Sequence, residues 1–308
     1  MSSTDQNVDL SAGGTRREEW IDGLVKYVFA ACALVTVLTT LGIILVLVNG
    51  AIDFFLEVSL VEYLTTTEWA PQSAEPSFGV LPLVWGTLAV TVGSALIALP
   101  VGTLAAIYLS EYAPERVRAV LKPTLEVLAG IPTIVYGFFA LSFITPQIQR
   151  VFPQTGTFNL AAGAIVVGIM IIPMVSSLSE DAMSSVPDDL RNAAYGLGAT
   201  KFEVSTQVVV PASVSGIVAA YILAISRAIG ETMAVTLAVG MQPQITANPL
   251  EPLQTMTAYM VKVATGDVSV GSIGYQSLFA VGLTLFVMTF AMNVLSLWVK
   301  SRYQEEYE

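Results

Sequence analysis

Six long apolar stretches alternate with polar ones along the chain. They run from about Tyr27 to Val48, Val80 to Leu109, Leu125 to Ile144, Leu160 to Leu178, Ser213 to Val239 and Ile273 to Val299. Each is about the length at which an α-helix crosses ~30 Å of hydrocarbon. The strands of a membrane barrel would instead alternate polar and apolar side chains over segments of about ten residues. The pattern predicts an all-α polytopic membrane protein with six transmembrane helices. The first stretch is too long for a signal-peptide core and reads as a retained span. Pro100-Val101-Gly102 marks an expected break or kink in the second span, and Pro132 and Pro173 mark bends in the third and fourth. Between the spans lie an acidic loop, a polar segment at 179–212 and a second long loop at 240–272. No internal repeat or soluble domain is visible. The expected organisation is a tail at 1–26, one membrane domain at 27–300 and a second tail at 301–308.

Composition supports this reading. Of 308 residues, 54% are hydrophobic and 12% charged, and the mean hydropathy is +0.71. Soluble domains carry about 25% charged residues. Histidine is absent and the single cysteine, Cys32, lies in the first span, where it reads as packing or lipid-facing filler. Histidine metal sites, histidine triads and an intrachain disulfide are therefore excluded, and no cofactor is expected. An intramembrane enzyme has little support, because the spans hold no paired catalytic carboxylates. The net charge of −11 reads as an adaptation to solvent rather than as a binding site, and nothing suggests a nucleic-acid partner.

Basic residues set the orientation. With a cytoplasmic N-terminus, Arg16, Arg17, Lys26, Arg116, Arg118, Lys122, Arg191, Lys201, Lys300 and Arg302 fall inside. Arg150 and Lys262 fall outside, and Arg227 falls within a span. Ten inside against two outside favours N-in/C-in and makes 179–212 cytoplasmic. The outer loops then carry seven acids: Asp53, Glu57, Glu62, Glu68, Glu75, Glu251 and Asp267.

Within 179–212, Pro187 followed by Asp188 and Asp189 suits a helix start, and Gly196 and Gly198 suit its end. A short helix from Asp188 to Tyr195 is expected. The segment Asn192-Ala193-Ala194, three residues, Gly198, nine residues, Val208-Val209-Val210-Pro211 resembles the cytoplasmic signature of ATP-binding-cassette importer permeases. That signature reads Glu-Ala-Ala, three residues, Gly, nine residues, Ile-x-Leu-Pro, so the chain departs by Asn192 for Glu and by valines for the two aliphatics. The resemblance implies the type I importer permease (MetI-like) fold, with Asn192, Ala193, Ala194, Gly198 and Pro211 in a loop that couples to an ATPase subunit. The chain has no G-x-x-x-x-G-K-[ST] phosphate loop, so the ATPase is expected to be a separate chain. Leu128 to Phe138 and Ser226 to Val235 are similar to the phosphate-specific permeases, and the ending Gly230-Glu231-Thr232-Met233-Ala234-Val235 resembles their PstC-type subunit more than its PstA-type partner. That resemblance implies phosphate import from a binding protein outside the cell membrane, alongside a second, PstA-type permease.

Arg227 is the most informative residue. It lies midway along the fifth span, read as a continuous helix from Ile217 to Ala238, where an arginine costs about 2.5–3.5 kcal/mol on insertion scales. On such a helix Glu231, four residues on, shares its face, and so do Gly216, Ala220, Ala224, Gly230, Ala234 and Ala238. Small residues on a charged face indicate close helix contact or a ligand path. One reading is an Arg227–Glu231 ion pair that only fixes packing. The other is an anion path in which Arg227 binds phosphate oxygens and Glu231 positions it or accepts a proton from monohydrogen phosphate. Thr232, and by resemblance Thr133 and Tyr136, are further candidates. Glu126, four residues after Lys122, reads as its partner at the membrane edge. Permeation of another oxyanion, such as molybdate or sulfate, and a stand-alone anion channel or secondary transporter remain alternatives.

The orientation is testable because only one cysteine must be removed. In a Cys32→Ser background, Glu75→Cys should react with an impermeant maleimide on intact cells, and Asp188→Cys only once the cytoplasm is opened. The reverse result would invert the topology.

Overall fold

A computed structural model of the protein describes residues 16–303, with side chains from Leu24 to Trp298. The parts of the expected tails at 1–15 and 304–308 lie outside the described residues. Two compact units are present, residues 1–49 and 50–308. In the first, residues 16–49 are one uninterrupted helix, the larger part of α1 (Arg16–Glu57). Its large side chains, including Leu24, Phe29, Leu38 and Leu45, are exposed. A helix apolar around its whole girth is matched to lipid.

The second unit opens with the last turns of α1, a short α2 (Leu60–Thr65), and two-residue strands β1 (Trp69–Ala70) and β2 (Ser77–Phe78). The strands pair antiparallel, Trp69 opposite Phe78 and Ala70 opposite Ser77. The acidic loop is thus structured. Phe54, Tyr63, Trp69 and Phe78 are buried in it and meet edge-on, the arrangement that ring quadrupoles favour.

The helical body follows. α3 (Leu81–Ile107) runs through Pro100 without interruption and passes into a wide turn at Tyr108–Tyr112. The third apolar stretch is a corner, not a straight span. α4 (Glu115–Ala129) stops at Gly130, and α5 (Thr133–Phe139) restarts after Pro132; a wide turn at Ala140–Ile144 then leads into α6 (Thr145–Val151). The two arms meet at 88°. Proline ends a helix because it lacks the N–H that the ladder needs and restricts the residue before it. α7 (Leu160–Ser184) accommodates Pro173 within an unbroken helix. The segment after it forms α8 (Asp188–Gly196), α9 (Lys201–Val204), a wide turn at Ser205–Val209 and α10 (Val210–Ala212). α11 (Val214–Ile229) meets the 201–212 arm at 70°. α12 (Met233–Ala238), α13 (Met256–Thr265) and α14 (Ile273–Tyr303) complete the chain. Among the described residues, four helices are long and apolar enough to cross a membrane, and each bent pair can supply one more span.

Small residues set the closest packing. A Cβ at Gly102 of α3 would lie 2.7 Å from Val175 of α7, and one at Gly93 would lie 2.8 Å from Ala164. Without a hydrophobic drive between helices in lipid, such close approach supplies the dispersion contact that holds them. Thr87, Thr91 and Ser94 are buried in α3 and return their hydroxyls to carbonyls one turn back. The 240–255 segment is also built in. Its carbonyls at Glu251 and Pro249 accept the free N–H groups of Leu160 and Ala161 at the start of α7, at 2.9 and 2.8 Å, while Asn159 accepts from Ala162 N–H at 2.8 Å. The first N–H groups of a helix have no partner within it, so this segment completes α7.

The same segment crosses α3 at Gly86, where any Cβ would collide with the Gln254 carbonyl. Gly86→Val should therefore destabilise the protein by about 1–3 kcal/mol through overpacking, read as a lower unfolding midpoint in detergent. Gly42→Ala, at a position with open space, should not.

Candidate functional site

The fifth span departs from expectation at its charged centre. α11 ends at Ile229 and α12 starts at Met233, so residues 230–232 are not helical. Arg227 and Glu231 therefore do not share one helical face, and they form no ion pair among the described residues. The Glu231 side chain supplies the physical reason. It is buried, and its Oε1 accepts the Ala234 N–H at 3.1 Å, one of the free donors at the start of α12. The Glu231 carbonyl accepts the Thr257 hydroxyl of α13 at 2.7 Å. Thr232 donates to the Gly230 carbonyl at 3.1 Å. Glu231 and Thr232 are thus committed to building the break.

Arg227 sits in the last turn of α11, exposed, and lines a cavity of about 290 Å³ between α4, α7 and α11. Ala129 and Glu126 of α4 line the same cavity, with Pro173 and Ser177 of α7. Glu126 is not the partner of Lys122. The Lys122 ammonium instead donates to Glu180 at 2.7 Å and Asp181 at 2.8 Å. Glu180 is buried and also holds Arg118, so it draws both bases of α4 to α7. Glu126 is left to face the cavity. Nothing in a pattern read along one helix could show this, because the competing carboxylates are far along the chain.

The helix ends that lead into both breaks border this cavity, through Ala129, the last residue of α4, and Arg227 in the last turn of α11. Tyr136 braces the first break: its buried hydroxyl donates to the Leu128 carbonyl at 2.8 Å. Tyr136 lies within electrostatic reach of Arg227. Thr133 begins α5, half-buried. α5 and α12 pack closely, since a Cβ at Gly137 would lie 2.9 Å from the Leu237 side chain and 3.1 Å from the Ala234 backbone.

The segment with the signature spacing folds as its residues suggest. α8 spans Asp188–Gly196 after Pro187, and Gly198 adopts φ +89°, a left-handed conformation that side chains disfavour. Arg191 fixes α8 to the body. It donates to Glu111 at 3.1 Å and to the Met183 carbonyl at 2.8 Å, and also to the Val186 carbonyl. Lys201 lies 5.0 Å above the Tyr112 ring. Thr200 caps α9 reciprocally with Glu203, whose carboxyl is held below its usual range by the Thr200 N–H and hydroxyl. Asn192, Ala193 and Pro211 are exposed and Ala194 is half-buried, while Leu197 and Phe202 present 91% and 67% of their surface. A short rigid helix flanked by exposed apolar side chains is suited to a protein partner. The Arg191–Glu111 pair escaped sequence analysis because its members are 80 residues apart.

Comparison with known proteins gives this arrangement a context. Residues 98–305 match the family described as binding-protein-dependent transport system inner membrane component. This chain belongs to that family. A probable ABC transporter permease, YqgH of Bacillus subtilis, is 38% identical over 90% of this chain and 90% of its own. The phosphate transport system permease PstC of Mesorhizobium japonicum is 34% identical over 78% of each chain. In structure, the chain resembles a bacterial ABC transporter involved in import of the polysaccharide alginate, with TM-score 0.63 at 14% identity over 93% of this chain and 99% of the other. The chain is thus a multi-pass ABC transporter permease with the type I importer fold, a transport component rather than an enzyme.

In this permease the attachment of α8 rests on a largely buried ion pair, since the Arg191 side chain is 14% exposed and that of Glu111 5%. A double-mutant cycle with Arg191→Ala and Glu111→Gln should return a coupling energy of about 1–3 kcal/mol in thermal or chemical unfolding. Additive single effects would show that the pair does not hold the helix.

Proposed function

We propose that this permease is one half of the translocation path of an ATP-driven inorganic phosphate importer, N-in/C-in with six spans. On this reading residues 27–300 are the membrane domain and 1–26 and 301–308 are cytoplasmic tails. The loop at 179–212 receives a separate ABC ATPase subunit. A homologous permease of PstA type completes the path, and a phosphate-binding protein delivers substrate from outside. Alternating access carries the anion across.

The observation that carries this reading is Arg227 at a cavity bordered by the helix ends that lead into two breaks. A planar guanidinium matches two phosphate oxygens, and its cost in the bilayer is recovered where a wet cavity meets it. Broken helices place irregular backbone beside a substrate path, the pattern by which transporters bind ions near the bilayer centre. Tyr136 and Thr133 flank the first break. Glu231 and Thr232 shape the second. The coupling role of Asn192, Ala193, Ala194, Gly198 and Pro211 is supported by the exposed, braced geometry of their loop. Relatives named as phosphate permeases support the choice of phosphate over molybdate or sulfate. The seven outer acids favour delivery by a docked protein over open diffusion, an effect that salt weakens.

Reconstitution with the ATPase, second permease and binding protein tests the proposal. Arg227→Gln should lower ATP-dependent phosphate uptake about 10- to 100-fold, the worth of one or two charge-assisted hydrogen bonds. Unchanged uptake would sink the assignment, and uptake by the permease alone would favour a channel. Glu231→Gln keeps an oxygen for the Ala234 N–H and should transport phosphate while still excluding sulfate. Glu231→Ala, which loses the cap, should fail in transport. Sulfate uptake by Glu231→Gln would instead assign Glu231 to proton recognition.

A further inference from the structure

A second polar cavity, of about 220 Å³, lies away from Arg227. It is lined by Trp69 to Ser73 of the β1 turn, Pro243 and Gln254 of the ordered segment, and Tyr259 and Lys262 of α13. We infer that this cavity is a binding site for a small oxyanion, with Lys262, Gln254 and Trp69 as its ligands.

The first argument is unmet hydrogen-bonding capacity. Gln254 is 1% exposed, yet neither its Nε2 nor its Oε1 has a partner among the described residues, and the buried Trp69 Nε1 has none either. Buried polar side chains almost always find a partner, so unpaired ones lining a cavity point to a ligand. The second is charge. Lys262 is half-buried at the cavity and takes part in no ion pair among the described residues. No carboxylate lines this cavity; Asp267 lines an adjoining one with Pro71 and Gln72. The Tyr259 hydroxyl is engaged with Ser277 at 2.6 Å, and burial pushes its phenol up to about 12, so it stays neutral and does not repel an anion. One ammonium, one indole N–H and one amide make a donor-rich set. The volume lies below the 300–1,000 Å³ common for drug-sized ligands and suits a small one.

The third argument is rigidity. The Trp69 ring is held edge-on by Tyr259 at 4.8 Å and by Phe78 at 6.1 Å, which fixes its N–H. α13, which carries Tyr259 and Lys262, also carries Thr257, the donor to Glu231 at the break. The site and the second break thus share one short helix. That the cavity faces outward, where it would receive the anion before Arg227 does, rests on the topology proposed above; its chemistry does not.

The test uses the full-length permease in lipid nanodiscs, with inorganic phosphate as probe and the Trp69-dependent part of indole fluorescence, defined by subtracting Trp69→Phe, as readout. Phosphate should change this signal saturably. The half-saturating concentration should rise about tenfold or more in Lys262→Gln, the loss expected for one charge-assisted hydrogen bond, and return toward wild type in Lys262→Arg. Lys262→Glu should abolish the response, and Arg227→Gln should leave it intact. Lys262 is partly exposed, so these variants should fold, as checked by their unfolding midpoints. The inference is overturned if no phosphate-dependent change occurs or if Lys262→Gln responds as wild type. Loss in Arg227→Gln with retention in Lys262→Gln also overturns it, by placing binding only at the inner cavity. Uptake by Arg227→Gln judges the inner path separately, so either reading can fail alone.

Discussion

A peptide group in a bilayer has no water to bond, so each N–H and C=O must find a partner within the protein. A continuous apolar helix meets that demand by itself, as residues 24–49 of α1 do. The two breaks in this permease do not meet it, and their surroundings are arranged accordingly. At Gly130–Pro132, Tyr136 returns its hydroxyl to the Leu128 carbonyl. At Gly230–Thr232, Glu231 caps Ala234 N–H, Thr232 reaches Gly230 and Thr257 reaches back from α13. Each break is thus supported by side chains that would otherwise have no reason to be polar at that depth.

The same demand explains why the long 240–272 connection is ordered. It closes the open end of α7 with its own carbonyls and passes Gly86 so closely that no side chain fits there. α13 then returns to the second break. A feature that looks like a loop in sequence is part of the frame that supports the second break. At the other end, the charges of 179–212 perform an equivalent task. Arg191 joins α8 to Glu111 and to the carbonyl end of α7, where a cation is favoured by the helix dipole. These contacts tie α8 to the end of α7 and to the wide turn that follows α3.

The long apolar periods and the short helix at 188–196 were legible in the sequence because each rests on local rules: span length and capping chemistry. The corner at Pro132 was half legible, since a proline announces a bend but not its size. Pro100 and Pro173, by contrast, sit in helices that continue through them. The face that Arg227 and Glu231 would share on a continuous helix does not form, because helical periodicity stops at Gly230. A carboxylate three residues before a free N–H is as good a capping signal as it is an ion-pair signal. The partners of Lys122 and Arg191 were not legible at all, because tertiary packing chooses among several acids and the chain order does not rank them.

The exposure of Arg227 follows from the same frame. A guanidinium turned into the core of one subunit would need a buried carboxylate, and Glu231, the nearest along the chain, is already engaged with backbone. Glu126 shares the cavity but stays beyond ion-pair distance, so it moderates the field there without neutralising it. The cation is consequently left available on an open face of a single permease chain. Lipid cannot cover such a face cheaply; a second permease and a passing anion can. An arginine left without an ion pair at this cavity, among the described residues, fits the proposed anion path, and the end of α11 at Ile229 is what keeps Glu231 from neutralising it.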